Sequence, residues 1–353
     1  MGYQVDFLQV GNGETSGDCI AVRFGDLRSG DPNKQHVVVI DGGFTESGEK
    51  LVKHIAERFG TTHVDYLIST HLDRDHIAGL TPVIEDMTVG VLLMHRPWLH
   101  SVSDDAQKEA REARKSYEQA TALEELAIKK GIQIIEPLAS SDNALQITPD
   151  AYMRIIGPDL TYYEELLKDF DHNKSLADKA LAALRGTTTS AVGAVLRKIQ
   201  ETLDPRSETL DNVHKDTSPE NNSSTVIDFN LSGHKLLFTG DAGVVALHRA
   251  LDYGVSAGLD FSDLNFLDVP HHGSHHNLDS AFLNRIGVKT AFVSATKDSK
   301  KHPAPRVLNA LVRRGINYYT TEASNIMHSH DAPDRSDYHD LTPGSLVSEF
   351  EDD

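Results

Sequence analysis

Val64-Asp65-Tyr66-Leu67-Ile68-Ser69, followed by Thr70-His71-Leu72-Asp73-Arg74-Asp75-His76, is the stretch that decides how this chain is read. The first six residues have the β-branched and aromatic content of a strand. Immediately after it His71, Asp73, Asp75 and His76 crowd four ligand-type side chains together. Two carboxylates and two imidazoles at a strand exit repel or desolvate one another unless a cation lies between them. Divalent ions of hard or borderline character favour this mixture of oxygen and nitrogen. The alternative reading is a helix start, in which Asp73 or Asp75 caps the amides of Ile77-Ala78-Gly79-Leu80 and the histidines are solvated.

Two further segments repeat the pattern of an apolar strand ending in ligand-type residues. Phe238-Thr239-Gly240-Asp241-Ala242 delivers Asp241, and Val269-Pro270-His271-His272-Gly273-Ser274 delivers two histidines. A sheet collects such residues in one cleft at its carboxyl edge. Taken alone, Asp241 also reads as a helix cap and His271-His272 as a solvated loop; three coincident strand exits favour a shared site. His302, before Pro303, reads either as a loop histidine or as a group that donates a hydrogen bond to a phosphate or protonates a leaving oxygen. His275 and His276 read as solvated neighbours.

The order of elements around these motifs is α/β. Strands are expected at Tyr3 to Val10, Cys19 to Phe24, Val37 to Ile40 and Gly90 to Met94, with helices near Lys50 to Arg58 and Thr81 to Met87. From about Pro97 the chain turns helical, with one long helix over Asp104 to Lys130, short strands at Ile132 to Ile135 and Tyr152 to Ile156, and helical stretches from Leu160 to Leu203. Asp204 to Asn222 reads as a loop or poorly ordered linker. Strands and helices alternate again from Thr225. The expected organisation is one domain over 1–330, interrupted by a largely helical insertion at about 97–220, and an acidic, mobile tail at 331–353.

Composition narrows the class. At 353 residues and 39% hydrophobic content, the chain holds an ample core. It has no apolar run of the ~18 residues that a membrane helix needs, and its first residues carry no secretory signal pattern, so no membrane contact and a cytoplasmic location are expected. Cys19, the sole cysteine, reads as a small buried thiol. A net charge of -19 opposes nonspecific nucleic-acid binding by the whole surface. Between Arg285 and Arg314, however, eight basic residues face one acid, Asp298, which reads as a local positive patch or as a solvated helix face.

Asp41-Gly42-Gly43, His71-x-Asp73-x-Asp75-His76, Asn221-Asn222-Ser223-Ser224, Phe238 to Ala242, Val269 to Ser274 and His302-Pro303 occur in that order. Together they resemble the metallo-β-lactamase superfamily and, within it, the ComEC-type competence metallohydrolases. The resemblance implies an α/β fold, the αβ/βα sandwich of two mixed sheets flanked by helices, with a metal cleft at one edge. It implies that His71 and Asp73 hold one ion and Asp75 and His76 another, that Asp241 bridges, and that His271 or His272 completes the second site. Asp73 replaces a histidine of the broader superfamily, and Asn221 to Ser224 fill a slot that usually brings another, so zinc is less firmly implied and manganese also suits this oxygen-rich set.

Two such ions, about 3.5–4 Å apart, would activate a water for attack on a phosphodiester. Asp75, His272 and His302 are the expected catalytic residues, and Asn222, Ser224, Lys300, Lys301 and Arg306 the expected substrate contacts. ComEC-type domains are associated with DNA degradation, so the implied activity is a metal-dependent nuclease or phosphodiesterase, with defence against invading DNA as one role. The alternatives are a small-molecule hydrolase of the phosphocholine esterase or lactonase kind, and a scaffold that recruits a protein partner through the helical insertion.

Overall fold

Apolar residues alternate along the strands in a way that builds two sheets with one shared core. In the computed structural model, which describes residues 1–11, 13–100, 117–140, 144–170, 206–212, 216–338 and 341–348, the first sheet contains β1 (Gly2–Phe7), β2 (Cys19–Gly25), β3 (Gln35–Gly42), β4 (His63–Ile68), β5 (Thr88–Leu93), β6 (Gln133–Ile135) and β14 (Ile326–His330). The second contains β7 (Ala144–Thr148), β8 (Ala151–Gly157), β9 (Val226–Leu231), β10 (His234–Phe238), β11 (Phe266–Asp268), β12 (Thr290–Val293) and β13 (Asn317–Thr320). Their spatial orders are β14-β1-β2-β3-β4-β5-β6 and β13-β12-β11-β10-β9-β8-β7.

Tyr3, Val5 and Phe7 of β1, Ile20, Val22 and Phe24 of β2, Ile227, Phe229 and Leu231 of β9, and Leu236 and Phe238 of β10 meet between the sheets. This is the period-two pattern that puts alternate residues on one face. The opposite face of the first sheet is covered by the helices Thr45–His54, Leu80–Asp86 and Glu118–Lys129, and that of the second by Val244–Ser256, Ser280–Arg285 and Pro305–Arg313. The fold is therefore the expected sandwich of two mixed sheets with helices outside. β3 to β6 run parallel, as do β10 to β13. Parallel strands send their carboxyl ends to one edge, and the strand exits at Asp41, His71, Asp241 and His271 gather there.

Within 97–220, the described residues add strands to both sheets: β6 extends the first beside β5, and β7 and β8 extend the second beside β9. Of the long helix expected over 104–130, Glu118–Lys129 is observed; residues 101–116 and 171–205 lie outside the described residues. The tail is packed against the body where it is described. Arg335 Nη1 lies 3.5 Å from the buried Asp6 carboxylate, Asn309 exchanges two hydrogen bonds with the backbone of Val347, and Gly344 N donates to Tyr318 O at the outer edge of β13. The linker expected at 204–222 ends in a short helix, Pro219–Asn222, capped by Ser218.

Glycine sets how closely the site's supports approach one another. A Cβ at Gly79 would come within 1.9 Å of Gly42 O, and one at Gly48 within 2.0 Å of Gly79 O. These contacts are to backbone, so the clash cannot be relieved by turning a side chain. They pin the turn after His76 against the end of β3 that carries Asp41. Gly79→Ala is expected to cost about 1–3 kcal/mol, the usual range for overpacking, read as a lower urea midpoint; an unchanged midpoint would show that the approach is slack.

Candidate metal centre

The gathered strand exits form a buried cluster of carboxylates and imidazoles. His71 follows β4, Asp75 and His76 lie in the one-turn helix Arg74–Ile77, Asp241 follows β10, and His271 and His272 follow β11. Asp41, His271 and His272 have φ of 54°, 48° and 56°. Such left-handed backbone is costly for residues other than glycine and persists where the surroundings impose it, commonly at functional sites. Of the five non-glycine residues with positive φ among those described, three belong to this cluster.

Asp241 stands at the centre, and its two oxygens face different neighbours. Oδ2 lies 3.7 Å from His71 Nε2 and 3.5 Å from His271 Nε2. Oδ1 lies 3.4 Å from His76 Nε2 and 4.0 Å from His272 Nε2. Asp73 Oδ2 is 3.8 Å from His71 Nε2, on the first side. Asp75 groups with His76 and His272 on the second. Asp18, Asp241 and His272 form another such group, and so do Asp41, His71 and His76.

Around this core the hydrogen bonds run outward. Asp41 Oδ2 accepts from Thr70 Oγ1 at 2.6 Å and pairs with His76 Nδ1 at 2.8 Å. The Thr70 backbone N–H donates to Asp41 Oδ1 at 2.8 Å. His271 Nδ1 meets Asn277 Oδ1 at 2.8 Å, and Asn277 Nδ2 donates to the carbonyl of Asp241 at 2.7 Å. His71, His76 and His271 are thus held through Nδ1 by Thr70, Asp41 and Asn277, leaving Nε2 turned inward. His71 Nε2, His76 Nε2, His272 Nε2 and Asp241 Oδ1 are buried with no hydrogen-bond partner. A buried polar atom left unpaired costs about 1–3 kcal/mol, and four that converge on one space fit divalent cations, whose histidine ligands characteristically hold their other nitrogen on a carboxylate or carbonyl oxygen.

The electrostatics point the same way. Burial alone would raise the Asp241 carboxyl, but His271, His76 and His272 pull it well below the usual carboxylate range. Burial would lower His76, yet Asp241 and Asp41 hold it well above its ordinary value, so the position calls for positive charge. His271 is lowered, chiefly by burial, which favours the neutral ring that a metal requires. Burial, with His271 and His272 alongside, pushes His302 down to about 3. Its ring lies 5.2 Å from that of His271 between centroids, and burial favours its neutral form.

The donor arrangement and the sheet order now stand together with a match over the sequence: the family model described as Metallo-beta-lactamase superfamily covers residues 16–297. The chain belongs to the metallo-β-lactamase superfamily. Members of this superfamily are in general metal-dependent hydrolases. The chain is also similar to ComE operon protein 3 of Bacillus subtilis (strain 168), 23% identical over 335 residues that make up 90% of this chain and 32% of that protein. It therefore spans about a third of that relative's length. Among solved structures, it is similar to the metallo-beta-lactamase fold protein YhfI from Bacillus subtilis, at 9% identity over 94% of this chain and 100% of that one, with a TM-score of 0.45. It is also similar to Zn(2+)-bound PqqB from Methylobacterium extorquens, at 8% identity over 92% and 99% of the two chains, with a TM-score of 0.43.

Within this metallo-β-lactamase framework, the expected ligands His71, Asp73, Asp75, His76, Asp241, His271 and His272 come together. His271 and His272 face opposite oxygens of Asp241. Several expected substrate contacts prove to have other surroundings. Ser224 Oγ accepts from the Asp241 backbone N–H at 3.1 Å and so positions that residue. Asn222 is buried and donates from Nδ2 to Asp216. Arg306 is buried. Lys300 is held by Glu14, while Lys301 is exposed.

The positive patch is largely neutralised: Arg285 pairs with Asp252, Lys289 with Asp263, and Arg313 and Arg314 with Glu208. Sequence reasoning gave no role to Asp18 or Asn277 and quoted Asp41 only as part of a motif; a lone Asp or Asn carries no spacing signal. Among the described residues no helix is long and apolar enough to cross a membrane. Asp41→Asn is expected to weaken zinc or manganese binding about 10- to 100-fold, the usual cost of losing a ligand-orienting carboxylate, as read by metal titration against a fluorescent chelator. Wild-type affinity in that variant would remove Asp41 from the metal's support.

Proposed function

We propose that this chain is a two-metal phosphodiesterase acting on DNA, with His71, Asp73, His271 and one oxygen of Asp241 around the first ion and Asp75, His76, His272 and the other oxygen around the second. The observation that carries the reading is the division of Asp241 between imidazole nitrogens on two sides, with Nε2 of His71, His76 and His272 buried without a hydrogen-bond partner. Divalent ions bound there supply Lewis acidity, acidifying a water and offsetting charge that develops on a phosphoryl oxygen.

The protein's own groups keep that geometry fixed before substrate arrives. Asp41 orients His76, Asn277 orients His271, and Ser224 holds the Asp241 backbone. His302, neutral and beside His271, is placed to donate an N–H to a phosphoryl oxygen. The choice of a phosphodiester rests on similarity to ComE operon protein 3 and the DNA-directed chemistry that the ComEC-type resemblance implies. A cytoplasmic nuclease active against invading DNA is the role consistent with that chemistry. Zinc and manganese both suit the mixed nitrogen and oxygen donors.

The test is to incubate the pure protein with labelled single- and double-stranded DNA, RNA and a chromogenic phosphodiester under Zn²⁺, Mn²⁺ or Mg²⁺. Asp75→Ala and Asp241→Ala are expected to lose activity by about 10²-fold or more, each removing an anionic ligand from the reaction centre. If no phosphodiester is cut with any ion, the proposal fails. If a thioester or lactone is cut instead, the small-molecule alternative replaces it. A partner-binding function retained by both variants would favour the scaffold reading.

A further inference from the structure

One wall of the cavity that opens in front of the metal cluster comes from far along the chain. The space, of about 1320 Å³, is lined on one side by His271 and His302 and on another by Leu341, Thr342, Gly344 and Val347. These four belong to the segment 341–348, which follows β14 and forms neither helix nor strand. Tertiary contacts alone place it beside the site.

Two residues of the body hold the segment. Asn309, buried in the helix Pro305–Arg313, exchanges two hydrogen bonds with the Val347 backbone: its Nδ2 donates to Val347 O at 2.9 Å, and its Oδ1 accepts from Val347 N at 2.7 Å. Tyr318 of β13 accepts at its backbone O from Gly344 N at 2.9 Å and donates its hydroxyl to Ser345 O at 3.0 Å. Gly344 lies so close to the Tyr318 ring that a Cβ there would come within 1.9 Å of it. That ring is buried in the apolar cluster beneath the helix, which keeps it from stepping aside. Val347 packs on the same cluster, and Leu341 packs on the core between the sheets.

Between these anchors little is buried: Thr342, Pro343, Ser345 and Leu346 are exposed. A segment with so few buried apolar contacts and so much exposed backbone belongs to the low-stability end of a fold and opens without unfolding the rest. The fit is close, and the attachment is light.

We propose that residues 341–347 are the specificity-determining wall of this site: docked on Asn309 and Tyr318, they bound the space in front of His271 and His302, admit a diester that fits within it and hold back a polymeric one. The inference deepens the phosphodiesterase reading above and rests on it. The cavity is larger than the ~1,000 Å³ at the upper end of ordinary small-molecule sites, so a short diester with sizeable groups enters. Long DNA has to displace the segment to bring a phosphate to the metals. The cost of that displacement falls on kcat/KM for the polymer and not for the small substrate.

The experiment uses the metal-loaded protein and three variants that release the wall. Asn309→Ala removes both bonds to Val347, and Asn309 lines neither the cavity nor the metal cluster. Gly344→Val drives a side chain into the Tyr318 ring, and deletion of the residues from 341 onward takes the wall away outright. Hydrogen exchange in the peptide that carries Val347 reports release in the two point variants. The substrates are bis(p-nitrophenyl) phosphate and plasmid DNA. Asn309→Ala is expected to hydrolyse the small diester as the wild type does and to raise kcat/KM on the plasmid roughly tenfold, an ordinary size for discrimination set by a few contacts. Gly344→Val and the deletion should raise the ratio of plasmid to small-diester kcat/KM in the same direction.

A ratio that stays level or falls in the deletion variant, or in a point variant whose segment exchanges faster, would overturn the wall while leaving the hydrolase intact. So would a wild type whose segment already exchanges as fast as an unstructured peptide. A wild type that cuts neither substrate with any ion would overturn the phosphodiesterase reading and the wall with it.

Discussion

A carboxylate buried among imidazoles is the constraint on which the rest of this structure depends. Asp241 is almost fully enclosed, and an isolated buried charge is too costly to persist unless positive charge answers it. Imidazoles approach it from β4, from the turn after that strand and from the exit of β11, and none of the inward-facing buried nitrogens of His71, His76 and His272 finds a hydrogen-bond partner. The parallel halves of both sheets must end at the same edge for this to happen, and the left-handed backbone at Asp41, His271 and His272 must be tolerated there. Fold and site are in this sense one solution: the sandwich core supplies rigidity, and the strain is collected where ligands are aimed.

The surrounding shell explains why the aim is stable. Asp41 ties the end of β3 to Thr70 and His76, so that three chain segments share one carboxylate. Thr225 N donates to Thr70 O at 2.9 Å, which joins the entry to β9 in the second sheet to the exit of β4 in the first. The tight backbone approach of Gly42, Gly48 and Gly79 closes the same region from the helical side. A change at any of these positions would move ligands without touching them.

Much of this was legible in the sequence where a local signal carried it. Alternation in β1 to β4 and β9 to β10, the His71 to His76 run, and Asp241 and the histidine pair at strand exits all depend on neighbours close in the chain. What was not legible depends on distant ones. β13 and β14 are short and polar, and they become strands because β12 and β1 present edges to them. The tail reads as mobile from its acidity, yet Arg335 finds the buried Asp6, and Asn309 and Tyr318 hold the backbone near Val347 and Ser345. The basic run from Arg285 to Arg314 reads as a patch, but acids distant in sequence, Asp252, Asp263 and Glu208, answer much of it. Ser224 reads as a substrate contact and Asn277 carries no signal, and only the tertiary structure shows that they hold Asp241.

The central claim is that Asp241 divides the centre between two ions. Anomalous diffraction from crystals grown with zinc or manganese, with data collected at and below the metal's absorption edge, measures this directly. The account predicts two peaks, one beside His71 and His271 and the other beside His76 and His272, with an oxygen of Asp241 on each. A single peak, or two peaks that leave Asp241 uncoordinated, would contradict it.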